Sequence, residues 1–215
     1  MWYIDQQHLI EQRDQDMELT FLGTSSGTPT KTRNLSGCIL SLLDHKQWFM
    51  VDCGEGSQRQ LLHCRHSMTH CAAILITHMH GDHWYGLPGL LCTASMAGRQ
   101  QPLTIIAPVE LESVLAHIFT SSQTVLAFEL KFVDVAAKPE VYRTPQLAIS
   151  RLPLSHRVPS YAYRFAETHG QRHLNAAELR KLNIPRGPVW GQLKRGETVT
   201  LADGRSLDGN QFLSP

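Results

Sequence analysis

Four side chains able to hold a metal ion fall within six residues, in Thr77-His78-Met79-His80-Gly81-Asp82-His83. Imidazole and carboxylate donors suit Zn²⁺ or Mn²⁺. The alternation lets His78 and His80 point to one side, while Asp82 and His83 turn to another, so the spacing suits two adjacent metal sites better than one. It differs from the H-E-x-x-H spacing of helix-borne zinc sites. Divalent ions held there would make a bound water nucleophilic near neutral pH, which suits a metal-dependent hydrolase. No serine or cysteine nucleophile is required. Cys53, Cys64, Cys71 and Cys92 have no evident catalytic partner and read as small buried hydrophobes.

Such a loop must be held by something rigid. The run Ala72-Ala73-Ile74-Leu75-Ile76 before it is continuously apolar, the mark of a strand buried on both faces. A first strand is expected over residues 18–22, entering the turn-rich Gly23-Thr24-Ser25-Ser26-Gly27-Thr28-Pro29. Residues 38–43 and 48–52 read as a hairpin pair joined through Asp44-His45-Lys46-Gln47. Short helices or helical turns follow at residues 60–62 and 87–96, a strand at 103–107, and a helix at 109–119 with Leu111, Val114, Leu115 and Ile118 on its apolar positions. Short strands fill residues 128–165. Asn175 reads as the N-cap of a helix over 176–182, with Glu178 placed for a capping box. Residues 184–196, rich in Gly and Pro, read as an extended excursion rather than packed chain, and a hairpin-like end follows. Strand and helix alternate in the first half, which predicts α/β layering.

A chain of 215 residues, 42% hydrophobic and 18% charged, is long enough for a substantial core, and neither disorder nor a coiled coil fits it. No apolar run approaches the ~18 residues of a membrane span. The first eighteen residues set Asp5, Glu11, Asp14, Asp16 and Glu18 against Arg13 alone, the wrong sign for a secretory or mitochondrial leader. Five cysteines without a C-x-x-C pair favour a reducing cytoplasm over a disulfide framework. The net charge of +1 is unevenly spread: residues 157–215 carry +4 and residues 1–156 carry −3.

His78-x-His80-x-Asp82-His83 after a strand resembles the metallo-β-lactamase superfamily. The flanking blocks narrow the resemblance: Phe21-Leu22-Gly23-Thr24-Ser25-Ser26-Gly27-Thr28-Pro29, Arg33-Asn34, Asp52-Cys53-Gly54-Glu55-Gly56, and Gly86-Leu87-Pro88-Gly89-Leu90-Leu91 are similar to the bacterial tRNase Z family, also called ribonuclease BN. The resemblance runs from about Met17 to Pro215. It implies an α/β fold, the αββα four-layer metallo-β-lactamase sandwich, with its second half incomplete in this chain. It divides the chain into an N-terminal extension (1–16), the N-terminal part of the metallo-β-lactamase domain (17–165) and a flexible arm (166–215). His78, His80 and His156 would hold one zinc. Asp82 and His83 would hold a second, with Asp82 also the catalytic base. Asp52 would steady a ligand histidine, although an Asx turn would explain it as well.

The same resemblance implies removal of the 3′ trailer of pre-tRNA by a cytoplasmic homodimer with two zinc ions per complete subunit. The arm would clamp tRNA through Arg186, Trp190, Lys194 and Arg195, phosphates meeting the cations and Trp190 stacking or packing. The family continues past Pro215 with further ligands to the second zinc. From residues 1–215 that site is offered Asp82 and His83 alone, so the chain is expected to be either a truncated piece or a chain that takes its other half from elsewhere, and to bind about one zinc, weakly. The competing readings are a small-molecule metallo-hydrolase of the same superfamily, acting on thioesters or lactams, and a non-catalytic product that keeps metal or RNA binding.

Overall fold

Apolar side chains in register build the sheet that carries the ligand loop. The computed structural model describes residues 17–42, 45–168, 173–184, 186–194, 196–201 and 203–214; the expected N-terminal extension, residues 1–16, lies outside them. Strands β1 (Met17–Gly23), β2 (Gly37–Leu42), β3 (Trp48–Val51), β4 (Cys71–Leu75), β5 (Leu103–Ala107) and β6 (Leu130–Asp134) form one six-stranded sheet in sequence order. The first three are antiparallel neighbours and β3 to β6 run parallel. Ile39, Met50, Ile74 and Ile105 are successive partners across four strands, and each is fully buried.

That row faces α1 (Ser57–Leu61), α2 (Leu87–Met96) and α3 (Glu110–Ser121), whose Leu61, Leu87, Leu90, Leu91, Leu111 and Leu115 join it in one core. Each such side chain contributes about 1.5–3 kcal/mol on burial. On the opposite face Phe49, Ala73, Leu75 and Ile106 are buried as well, which accounts for the unbroken apolar run at residues 72–76. At the edge strand β1 the second face is open: Leu19 is 52% exposed and Phe21 64%. A three-stranded sheet of order β7 (Glu140–Arg143), β8 (Leu147–Leu154) and β9 (Ser160–Glu167) follows.

The chain divides into two compact units, residues 1–141 with 149–164, and residues 142–148 with 165–215. The second unit holds β10 (His173–Leu174), α4 (Ala176–Lys181), α5 (Pro188–Lys194), β11 (Thr198–Thr200), β12 (Ser206–Asp208) and β13 (Leu213–Ser214). Asn175 caps α4 by accepting from the Glu178 N–H at 3.0 Å, while the Glu178 carboxylate lies 3.5 Å from Lys181 Nζ.

The extended excursion expected over 184–196 is corrected here. Pro188 opens α5, because a proline at the first helical position gives up no hydrogen bond and brings a helical φ. Leu193 then packs with Leu179, Ile184, Leu207 and Phe212 into a small core of this unit.

Two loops of the first unit meet backbone to backbone. Cys53 N–H donates to His83 O at 2.7 Å and Gly86 N–H to Cys53 O at 2.9 Å. A Cβ on Gly86 would lie 2.2 Å from Gly54 O, and one on Gly54 would lie 2.3 Å from Asp82 O. Backbone cannot retreat as a side-chain tip can. Gly86→Ala is therefore expected to cost about 1–3 kcal/mol or more, read as a lower urea midpoint with an unchanged m value. An unshifted midpoint would mean that the two loops are not in this contact.

Candidate metal centre

The ligand loop leaves the sheet at the carboxyl end of β4, beside the end of β3. Asp52 follows β3 directly, and its N–H donates to Leu75 O at 2.8 Å. Ligands gather at the carboxyl ends of parallel strands in open α/β sheets. Asp52 is 4% exposed and takes a left-handed φ of 58°. Its carboxylate accepts from Thr77 N–H at 2.9 Å, from Thr77 Oγ1 at 2.9 and 3.1 Å, from Ser36 Oγ at 3.2 Å and from His83 Nδ1 at 2.6 Å. A buried carboxylate with this many donors is a clamp on two loops, a larger role than a local Asx turn.

His78, His80 and His156 come together, each offering one ring nitrogen, with all three nitrogens within 4.8 Å of one another. His78 Nε2 lies 3.0 Å from His80 Nδ1, and His156 Nε2 lies 3.2 Å from the same atom. Nitrogens around a tetrahedral zinc stand roughly 3.3 Å apart, given Zn–N distances of about 2.0–2.1 Å. The donor set and its spacing therefore fit a metal ion. His156 follows β8 and arrives from 76 residues away. Burial pushes the His78 imidazole down to about 4, helped by the neighbouring His83, so it stays neutral as a ligand must.

Asp82 and His83 form the other pair. His83 Nδ1 is turned to Asp52, which leaves Nε2 on the Asp82 side, 3.5 Å from Asp82 Oδ2. Burial alone would lower the His83 pKa, but the Asp52 hydrogen bond and the Asp52 and Asp82 charges outweigh it and the pKa is raised. Gly27 N–H donates to Asp82 Oδ2 at 2.9 Å, so the loop after β1 orients this carboxylate.

A cleft of about 320 Å³ is lined by Phe21, Ser25, Asp52 and His83 among others. A second, of about 430 Å³, shares Phe21, Gly23 and Thr24 with it and is lined by Lys31 and Arg33.

The sequence reading gave no role to Thr77, Gly27, Ser36, Lys31 or Arg33. Thr77 stood beside the ligands, but its part depends on a carboxylate 25 residues earlier. The arm residues lie in the second unit. Trp190 packs against that unit's core, donates its indole N–H to Ile184 O at 3.2 Å and carries the Arg186 guanidinium 5.8 Å above its ring. Lys194 is exposed at the end of α5, and Arg195 lies outside the described residues.

Solved structures resembling the chain include human tRNase Z, short form (ELAC1), with a TM-score of 0.63 and 31% identity over 70% of this chain and 64% of that one. They also include the metallo-beta-lactamase fold protein YhfI from Bacillus subtilis, at TM-score 0.54 and 22% identity over 70% and 58%. Sheet, helices and histidine cluster thus define a metallo-β-lactamase-fold protein with a site able to bind metal. The family model described as "Anti-Pycsar protein Apyc1" matches residues 17–148. Curated relatives include Ribonuclease Z of Marinobacter nauticus, 45% identical over 91% of this chain and 61% of its own length, and Ribonuclease BN of Proteus mirabilis, 43% identical over 92% and 65%. The chain belongs to the family covered by that model, and over more than nine-tenths of its length it is similar to curated proteins named Ribonuclease Z or Ribonuclease BN. It spans 61–65% of the length of the curated relatives it matches.

Proposed function

We propose that the chain carries the metal-binding part of a zinc-dependent endoribonuclease that removes the 3′ trailer of pre-tRNA. The observation that carries this reading is its 41–46% identity, over more than nine-tenths of the chain, to proteins named Ribonuclease Z or BN. His78, His80 and His156 hold one zinc, and Asp82 and His83 contribute to a second. Zinc supplies the Lewis acidity that makes water a nucleophile and offsets charge on the phosphate. Asp82 takes the proton from the attacking water, its carboxylate plane fixed by the Gly27 N–H. Asp52 orients His83 from behind. Lys31 and Arg33 line a cleft that shares Phe21, Gly23 and Thr24 with the one lined by His83, and meet phosphates of the substrate.

The reading extends to a cytoplasmic homodimer. The five cysteines are unpaired, and among the described residues no helix is long and apolar enough to cross a membrane. Light scattering of the purified protein checks the dimer.

Cleavage of labelled pre-tRNA tests the whole reading, with residues 1–215 alone and joined to the remainder of a ribonuclease Z relative. The expected product ends after the acceptor stem. No binding and no cleavage in either form would reject the assignment in favour of a small-molecule hydrolase.

Arm residues Arg186, Trp190, Lys194 and Arg195 contribute tRNA binding, mainly through phosphates. Lys194→Ala with Arg195→Ala is expected to weaken pre-tRNA binding and to lower the slope of log K against log salt by about 0.7–0.9 per lost contact. Hydrolysis of a small chromogenic phosphodiester should not change. Equal losses on both substrates would mean that the arm acts by holding up the fold.

A further inference from the structure

Thr77 stands between a buried carboxylate and a metal-site histidine. Its hydroxyl lies 2.9 and 3.1 Å from the two Asp52 oxygens and 2.9 Å from His78 Nδ1. A threonine hydroxyl has one hydrogen to give and lone pairs to receive with, and an ionised carboxylate only accepts. The hydroxyl hydrogen therefore goes to Asp52. What remains toward His78 is an oxygen lone pair, so His78 must present Nδ1–H to it. The Nε2 lone pair is then left facing His80 Nδ1 at 3.0 Å, inside the nitrogen cluster. Free histidine in water prefers the opposite tautomer, with the proton on Nε2, which would block that nitrogen as a ligand.

His83 receives the same treatment without a relay, since its Nδ1 sits 2.6 Å from Asp52 Oδ2. The weaker 3.4 Å approach of Thr77 Oγ1 to His83 Nδ1 adds little.

We propose that Thr77 is a positioning residue whose hydroxyl passes the charge of Asp52 to His78 and locks His78 in the Nδ1–H tautomer. One buried carboxylate thereby sets the ligand form of a histidine in each of the two metal-binding groups, His78 through Thr77 and His83 directly. Because the Thr77 backbone N–H also binds Asp52 at 2.9 Å, removing the hydroxyl leaves the loop tied to the carboxylate. The loss is then confined to the relay. The consequence for zinc rests on the metal reading above; the tautomer does not.

The test uses metal-free residues 1–215 with ¹⁵N-labelled histidine, at a pH where the imidazoles are uncharged. Long-range ¹H–¹⁵N correlation reads the tautomer of each ring. The parent protein should show Nδ1–H at both His78 and His83. Thr77→Val should move His78 toward Nε2–H, leave His83 unchanged and weaken zinc binding about 10- to 100-fold, the usual effect of losing a group that orients a ligand. Thr77→Ser should restore the tautomer and bring the zinc affinity within about threefold of the parent. The proposal is overturned by Nε2–H at His78 in the parent, a measurement that needs no variant to fold. It is also overturned if Thr77→Val leaves the His78 tautomer in place or shifts both rings alike, as general loosening would. A parent protein that takes up no zinc would count against the metal reading, and the tautomers would still be read.

Discussion

His80→Ala should weaken zinc binding by residues 1–215 by a factor of about 100 or more, more than the loss of a supporting group costs. His80 Nδ1 is the atom that both other nitrogens face, at 3.0 Å from His78 and 3.2 Å from His156. Without it, two imidazoles remain on a site that needs three protein donors and a water to be four-coordinate. The side chain is half-buried at the end of a loop, and its removal takes nothing from the core built on Ile39, Met50, Ile74 and Ile105. Fold and affinity should separate: the denaturation midpoint of the metal-free protein stays, and competition against a chromophoric chelator reads the lost affinity. His117, exposed on α3, is the control, and His117→Ala should bind zinc as the parent does. With three nitrogens in one group and a single Asp–His pair in the other, residues 1–215 should take up about one zinc after dialysis. Unaltered affinity in His80→Ala would move the metal to other residues.

The ligand loop was legible because its information is local. Four donors in six residues after an unbroken apolar run announce a loop at the end of a buried strand, and the burial of both Ile74 and Leu75 explains the run. Helix α2 was legible for a similar reason: Gly86 and Pro88 mark its start and Gly98 its end. His156 was not legible from spacing, since nothing nearby in the chain hints that the end of β8 comes back to β4. It was reached through a family resemblance. Helix α5 was misread because Gly187-Pro188 looks like a break. Val189, Trp190 and Leu193 carry a helical spacing that could have corrected it, and Pro188 suits a first helical turn. The backbone contact between the two loops was beyond the sequence altogether. Gly54 and Gly86 lie 32 residues apart, and a sequence does not say that a glycine is there to let another backbone in.

Asp82→Ala should lower the rate of pre-tRNA cleavage by a factor of about 10³ or more while changing RNA affinity less than threefold, measured on the chain joined to the remainder of a ribonuclease Z relative. The carboxylate is asked to do two things at once. It faces His83 Nε2 at 3.5 Å, where on the proposed reading it would help hold a metal ion and take the proton from the attacking water. General base catalysis alone contributes about 10²–10⁴-fold, and a weakened ion adds to the loss. On the proposed reading RNA affinity rests elsewhere, on Lys31 and Arg33, which line a cleft of the same unit, and on the cations of the arm. A pairing of Asp82→Ala with Asp82→Asn separates the two duties. Asparagine keeps an oxygen for the ion and for the Gly27 N–H at 2.9 Å, yet it cannot take a proton. If Asp82→Asn binds zinc nearly as the parent does but cleaves as poorly as Asp82→Ala, the proton is the larger part. If Asp82→Asn recovers most of the rate, the carboxylate serves the metal and the base must be sought among other groups. Parallel losses of RNA binding and cleavage in both variants would remove Asp82 from the chemistry and make it a support of the loop between His80 and His83.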